Sequence, residues 1–336
     1  GRVERNGTVL PNSVNAFTGW ALPKTQALAS LSGKHPFTCP PLSVSLDGQP
    51  NAAGVTLPAC NRCGDCLTGC NQGAKDSLDA NLLTLASRHT GFQIVTGASV
   101  LTVHRTQQTP GWTVSVIHTR PTLQARETGP LELTADRVIL AAGALGSTDI
   151  LLRSQTKGLT VSPRLGERFS CNGDNIAAVH GLPVDAQAIA DEDIPPEQRN
   201  VGPTITGSIS LPGTDSHQGR RGFKLQEFAV PGALKHVAEE LVTTAALVQS
   251  LTTPDRSDHR RSAPGATDPL AVSSEAMART LVVGIIGHDD AMGVLHLPPA
   301  HSRSERQSVP GVVNIHWPQA RQGADLLHTA KTLATL

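Results

Sequence analysis

Ala135-Asp-Arg-Val-Ile-Leu-Ala-Ala-Gly-Ala-Leu-Gly-Ser-Thr148 is the stretch that decides the reading of this chain. Val138–Ala142 is a continuous apolar run that stops at Gly143, the pattern of a strand buried on both faces. Ser147–Ser154 then reads as a helix beginning directly after that strand. Strand, glycine turn and helix in this order present backbone N–H groups to a phosphate. Small residues at the junction let a cofactor backbone come close, and the same junction also serves as a plain packing solution.

Upstream, Gln93–Thr96, Ser99–His104 and Trp112–His118 alternate apolar with polar and are rich in Val, Ile and Thr, which predicts strands. Asp76–Arg88 reads as a helix that Asp76 or Ser77 can cap, with Leu78, Leu82, Leu85 and Ala86 on one face. Residues 1–58 are rich in Pro, Gly, Ser and Asn, and only Thr25–Leu31 has helical spacing, so the segment is expected to be an irregular cover.

Downstream, Thr204–Leu211, Phe223–Ala229, Leu281–Gly287, Gly293–Leu297 and Gly311–Trp317 read as strands. One long helix, about Ala233–Val248, carries an apolar stripe of Leu234, Val237, Leu241, Ala245 and Val248. Thr252–Thr267 reads as a loop and Gly323–Leu336 as a last helix. His288, Asp289 and Asp290, set between two strand candidates, read as a hairpin connection rather than a metal site. The fold class predicted is α/β (α+β). Residues 1–59 would form the cover, 60–165 an incomplete cofactor-binding layer, and 166–336 a second domain whose mostly antiparallel sheet is backed by helices.

The composition narrows the function. The 336 residues carry 28 Lys+Arg and 28 Asp+Glu, and this zero balance argues against nucleic acid as the main partner. No apolar window approaches the roughly 18 residues of a membrane-spanning helix. No leader pattern is visible, and a cytoplasmic location is expected. There is no G-x-G-x-x-G, no phosphate-binding G-x-x-x-x-G-K-[ST] and no G-x-S-x-G.

Cys60-x2-Cys63-x2-Cys66-x3-Cys70 has the spacing of a bacterial ferredoxin run for a [4Fe–4S] cluster. Asn71 stands where such runs carry Pro. Four thiolates at short spacing also suit zinc, and a tight turn with free or paired thiols is the structural alternative. An iron–sulfur electron-transfer module therefore stays open as a second function.

Several stretches in order resemble the glucose–methanol–choline (GMC) flavin oxidoreductases, especially the bacterial cholesterol-oxidase-like branch. They are CNRCGDCLTGCNQGAKDSLDANLL (60–83), GASVLTV (97–103), ADRVILAAGALGSTDILLRS (135–154), LGERFSCNGDN (165–175), GPTITGSISL (202–211), KLQEFAVPGAL (224–234), LVVGIIGHDDAMGVLHL (281–297) and VNIHWP (313–318). The resemblance implies FAD as cofactor and a sterol or other hydrophobic alcohol as substrate. It implies hydride transfer from the carbinol carbon to the flavin, with a His base taking the hydroxyl proton. The family's Gly-rich opening and its His-Pro-Leu-Gly-Gly-like close are both absent from these residues, so the chain reads as a middle fragment, active or a non-catalytic remnant.

Carried over residue by residue, the resemblance puts Val100 in a strand passing the adenine. It puts Ala142, Gly143 and Ser147 near the flavin nucleotide, and Asn172, Gly173 and Asp174 where the chain passes the isoalloxazine. In KLQEFAVPGAL the family more often has two acidic residues then Gly, where this chain has Gln226, Glu227 and Phe228. Phe223, Leu225 and Glu227 alternate onto one strand face, so Glu227 is expected to be desolvated against an apolar cavity, a setting that suits proton transfer. In that branch a Glu in the similar stretch moves protons during steroid isomerisation, which makes Glu227 the candidate catalytic residue.

Overall fold

The computed structural model describes residues 14–15, 22–107, 110–120, 125–126, 130–213, 222–252, 277–289, 291–298 and 313–317. Of the expected loop Thr252–Thr267 only Thr252 is described, and it is helical; the remainder, the expected helix Gly323–Leu336 and Asp290 lie outside the described residues. The chain is mixed α/β, and every strand pairing described between named strands is antiparallel. It divides into two compact units. The first holds 1–92, 173–288 and 325–336, and the second holds 93–172 and 289–324.

In the first unit, strands β1 (Val14–Asn15) and β3 (Leu42–Ser43) form a two-stranded ribbon. A five-stranded sheet runs in the order β2 (Phe37–Thr38), β9 (Ser208–Leu211), β10 (Phe223–Glu227), β11 (Leu281–Ile286) and β8 (Asn175–Val179). Helix α1 (Pro23–Ser30) opens with Pro at its first turn, where the missing N–H costs nothing. It buries Ala27 and Leu28 in a core with Ile209, Leu211, Leu225, Leu281, Val283 and Ile285. The 23–30 segment is thus core rather than cover, because its small and apolar side chains face the sheet.

The long helix is shifted to α4 (Lys235–Thr252) after a 3-10 turn at Gly232–Leu234. Its stripe does not back the sheet: Leu234, Val237 and Leu241 are exposed, at 36%, 55% and 66%. Helix α1 takes that place. The helix expected at 76–88 shrinks to α2 (Leu82–Ser87). Asp76 cannot cap it because its carboxylate is taken by the amides of Asn51 (2.9 Å) and Asn81 (3.4 Å). Residues 204–207, expected as strand, form a turn before β9.

In the second unit, β4 (Ala98–Arg105), β5 (Trp112–Arg120), β6 (Ala125–Arg126) and β7 (Leu131–Ala135) make a four-stranded sheet. Helix α3 (Gly143–Ser154) packs on β4, and the Ser154 hydroxyl accepts the Val103 N–H at 2.8 Å. β12 (Val294–His296) pairs with β13 (Asn314–His316).

Three expectations fail here. Val138–Ala142 is not a buried strand: it has no regular secondary structure and no strand pairing, and Ile139 is 89% exposed. Apolar composition needs a partner strand to become a strand, and among the described residues none pairs with it. Residues 93–96 are likewise unpaired, with Ile94 and Val95 exposed. The segment after β11 is not a hairpin, since β11 pairs with β10 and β8 while β12 pairs with β13. The Asp289 carboxylate instead accepts the N–H groups of Cys171 (2.6 Å) and Ala291 (2.9 Å).

Candidate functional site

Glu227 ends β10, between β9 and β11, and is fully buried as its alternation predicts. Its surroundings are not the expected apolar cavity. Oε1 accepts from the Lys24 ammonium at 2.9 Å and from the Thr206 N–H at 2.7 Å, and also from the Thr206 hydroxyl. Oε2 accepts the Gly207 N–H at 2.8 Å. The Thr25 and Thr206 hydroxyls lie 2.5 Å apart, and Lys24 Nζ also donates to Thr206 Oγ1 at 2.6 Å.

The local backbone is shaped to supply these donors. Ile205 sits at φ 58°, a left-handed conformation that costs a β-branched residue energy, and its own N–H donates to the Glu227 carbonyl at 3.0 Å. That turn aims the next two N–H groups at the carboxylate. Gly207 must lack a side chain, because a Cβ there would meet the Phe37 ring at 2.9 Å. Lys24 itself is fully buried. Burial lowers its ammonium from the ordinary value, and the charge and hydrogen bond of Glu227 oppose that shift.

Lys24 is the residue that sequence reasoning missed. It lies 203 positions from Glu227, and a Lys after Pro in a helical window carries no local sign of burial. Phe228, the departure from the family pattern, rests its ring where a Cβ on Gly284 would stand, 2.3 Å away.

The cofactor candidates fall at three places. Val100 is half-buried in β4 opposite Val116, just before a register shift to Thr102. Ala142, Gly143 and Ser147 form the start of α3. Ala142 is its N-cap with no side-chain cap, its N–H donating to Ser147 Oγ at 3.1 Å. Gly143 takes φ 72°, and nothing lies within 4 Å of where its Cβ would be. This exposed, uncapped 12-residue helix start leaves first-turn N–H groups facing outward, which fits a phosphate group of FAD.

Asn172 and Gly173 are consecutive left-handed residues, at φ 63° and 62°. A Cβ on Gly173 would meet the His288 carbonyl at 2.6 Å, so this turn requires glycine for close backbone approach. Asp174 follows it into β8. The first unit thus holds Glu227, Gly173 and Asp174, and the second holds Val100, Ala142, Gly143, Ser147 and Asn172.

The run Cys60, Cys63, Cys66 and Cys70 forms a compact coil with a 3-10 turn at Asp65–Thr68, and all four thiols are free. Among the described residues no three His, Cys, Asp or Glu side chains are gathered to hold a metal ion. The iron–sulfur reading therefore has no geometric support.

Residues 49–171 match the model of the GMC oxidoreductases, a span that contains the cysteine coil, β4 to β7 and α3. The chain is similar to the cholesterol oxidase of Mycobacterium tuberculosis (strain H37Rv), 32% identical over 169 residues. That match covers 49% of this chain and 26% of the relative. The cholesterol oxidase of Acinetobacter baumannii is 28% identical over 136 residues, covering 38% of this chain and 24% of the relative. The chain thus spans about a quarter of the length of these relatives. Among the described residues no helix is long and apolar enough to cross a membrane.

Proposed function

We propose that this chain is part of an FAD-dependent oxidoreductase acting on the CH–OH group of a hydrophobic alcohol, a sterol in the first instance. The GMC match over 49–171, with the uncapped start of α3 inside it, carries the reading. When bound, FAD supplies the hydride acceptor. In this reading residues 60–165 serve the cofactor and 166–336 the substrate. The first-turn N–H groups from Gly143 and the hydroxyl of Ser147 hold a phosphate, Val100 offers strand backbone to the adenine, and the Asn172–Asp174 turn lies along the ring system.

The same reading gives Glu227 a proton-transfer role. Its burial and the single hydrogen bond described for Oε2 favour that role, because one oxygen keeps acceptor capacity while Lys24 holds the other. The test is direct. The protein is mixed with FAD, desalted, and exposed without oxygen to cholesterol. Retained flavin absorbance that bleaches on adding the sterol supports the reading. Flavin lost on desalting removes the cofactor assignment, and retained flavin that cholesterol leaves oxidised removes the substrate.

A further inference from the structure

The five-stranded sheet of the first unit ends on β8, Asn175–Val179. Its other edge, β2, is only two residues long. The Phe228 N–H donates to the Val282 carbonyl at 2.8 Å, so Val282 turns its peptide groups toward the β10 side. By alternation Leu281, Val283 and Ile285 turn theirs toward β8, where they stand opposite Val179, Ala177 and Asn175. Ile176 and Ala178 therefore direct their N–H and C=O groups off the edge of the sheet, and among the described residues no strand takes them.

Proteins guard such an edge with charged side chains, Pro or a bulge. β8 reads Asn-Ile-Ala-Ala-Val, with no charge and no Pro, and its register with β11 runs without a shift. Ile176 is 73% exposed and Ala178 is exposed on the same face, while Ala177 and Val179 pack against the core.

The strand is also complementary to itself. When two copies run antiparallel about a two-fold axis at Ala177, Ile176 of each falls opposite Ala178 of the other. These pairs exchange the N–H and C=O groups left over at the edge, and their side chains cover one another. One pair further out, Asp174 falls opposite His180 of the second copy. Both residues are exposed, and His180 has its Nδ1 2.8 Å from the Thr280 hydroxyl, which leaves Nε2 for a carboxylate. The symmetry makes this contact twice. An axis at Ile176 or Ala178 would lose both Asp–His pairs.

We propose that two copies of this chain associate through β8, which pairs antiparallel with itself and joins the two five-stranded sheets into one. Five residues a side make a small interface, so the association is weak and depends on concentration. Each Asn172–Asp174 turn then has His180 of the second copy at its end. No part of this pairing depends on bound flavin, and its test reads mass rather than activity.

Sedimentation of the full chain over about 1 to 500 µM, a range that spans micromolar association, is the first measurement. The mass should rise from 35.2 kDa toward twice that value. Amide hydrogen exchange should find Ile176 and Ala178 protected at the upper concentration and open on dilution. Ala178→Pro removes an outward N–H while leaving the bonds to β11, and Ile176→Lys sets a charge on the edge. Each should weaken dimerisation by about tenfold or more with the circular dichroism spectrum unchanged. A chain that stays at 35.2 kDa throughout would overturn the proposal. So would a dimer that both variants leave intact, or one in which the amides of Ile176 and Ala178 still exchange freely.

Discussion

Replacing Lys24 by Met should destabilise the first unit more than any loss of surface charge. Lys24 and Glu227 are both fully buried and 2.9 Å apart. At an effective dielectric of about 20 their attraction is about 6 kcal/mol, and much of it is offset by the cost of burying both charges. Met fills a similar volume, so the loss lies in leaving Glu227 ionised and buried without its cation. Removing one member of such a pair costs about 3–5 kcal/mol. Two backbone N–H groups and the Thr206 hydroxyl remain on the carboxylate, which sets the expected value near the lower end. Glu227→Gln in the Lys24→Met background removes the stranded charge while its amide oxygen still accepts from the Thr206 N–H, and should restore about 1 kcal/mol or more. The assay is urea unfolding followed by circular dichroism across the four proteins of the cycle. A Lys24→Met variant within about 1 kcal/mol of the parent, or additive losses in the double variant, would refute the reasoning.

Gly64→Ala should cost about 1–3 kcal/mol, because φ 88° and the 2.7 Å approach of Val201 both exclude a Cβ; thermal unfolding reports it. Asp65→Ala should cost about 1–3 kcal/mol by stranding Arg199 and the Gly232 N–H, and urea unfolding reports the loss. The raised Cys60 thiol means that the folded state keeps its proton where the unfolded chain gives it up. Stability should therefore fall from pH 9 to 11, by about 1–2 kcal/mol after allowing for solvent screening at this half-exposed site. Unfolding of Cys60→Ser over the same range should lack that increment. The Asp191 carboxyl is held below its usual value, first by its hydrogen bond to Lys235. That contribution is present above the ordinary Asp value and lost as pH falls through the lowered one, so Lys235→Met should flatten the acid limb of the stability profile.

Period and alternation made β4, β5, β10, β11, α3 and α4 legible, since each is long enough to show its pattern. β8 escaped notice because Asn175, Ala177 and Val179 face inward with small or polar side chains, while Ile176 is 73% exposed. β7 escaped because Leu131 and Leu133 alternate with polar residues yet remain exposed, one edge pairing β5. Val138–Ala142 shows the opposite error: an apolar run states a wish for burial, and pairing supplies the strand. For the candidate site, alternation predicted the burial of Glu227, while the nature of its setting depended on Lys24 and on the left-handed turn at Ile205. No local pattern announces a partner on a helix so distant in sequence. The division into two units shows the same limit, since both units interleave segments from distant parts of the chain.

Amide hydrogen exchange with and without FAD tests the central claim most directly, because it reads the cofactor site residue by residue without requiring turnover. The uncapped start of α3 should exchange freely in the absence of FAD and become protected over 142–147 when FAD is added, with accompanying protection in β4 around Val100. Unchanged exchange over 142–147 at saturating FAD would contradict the account.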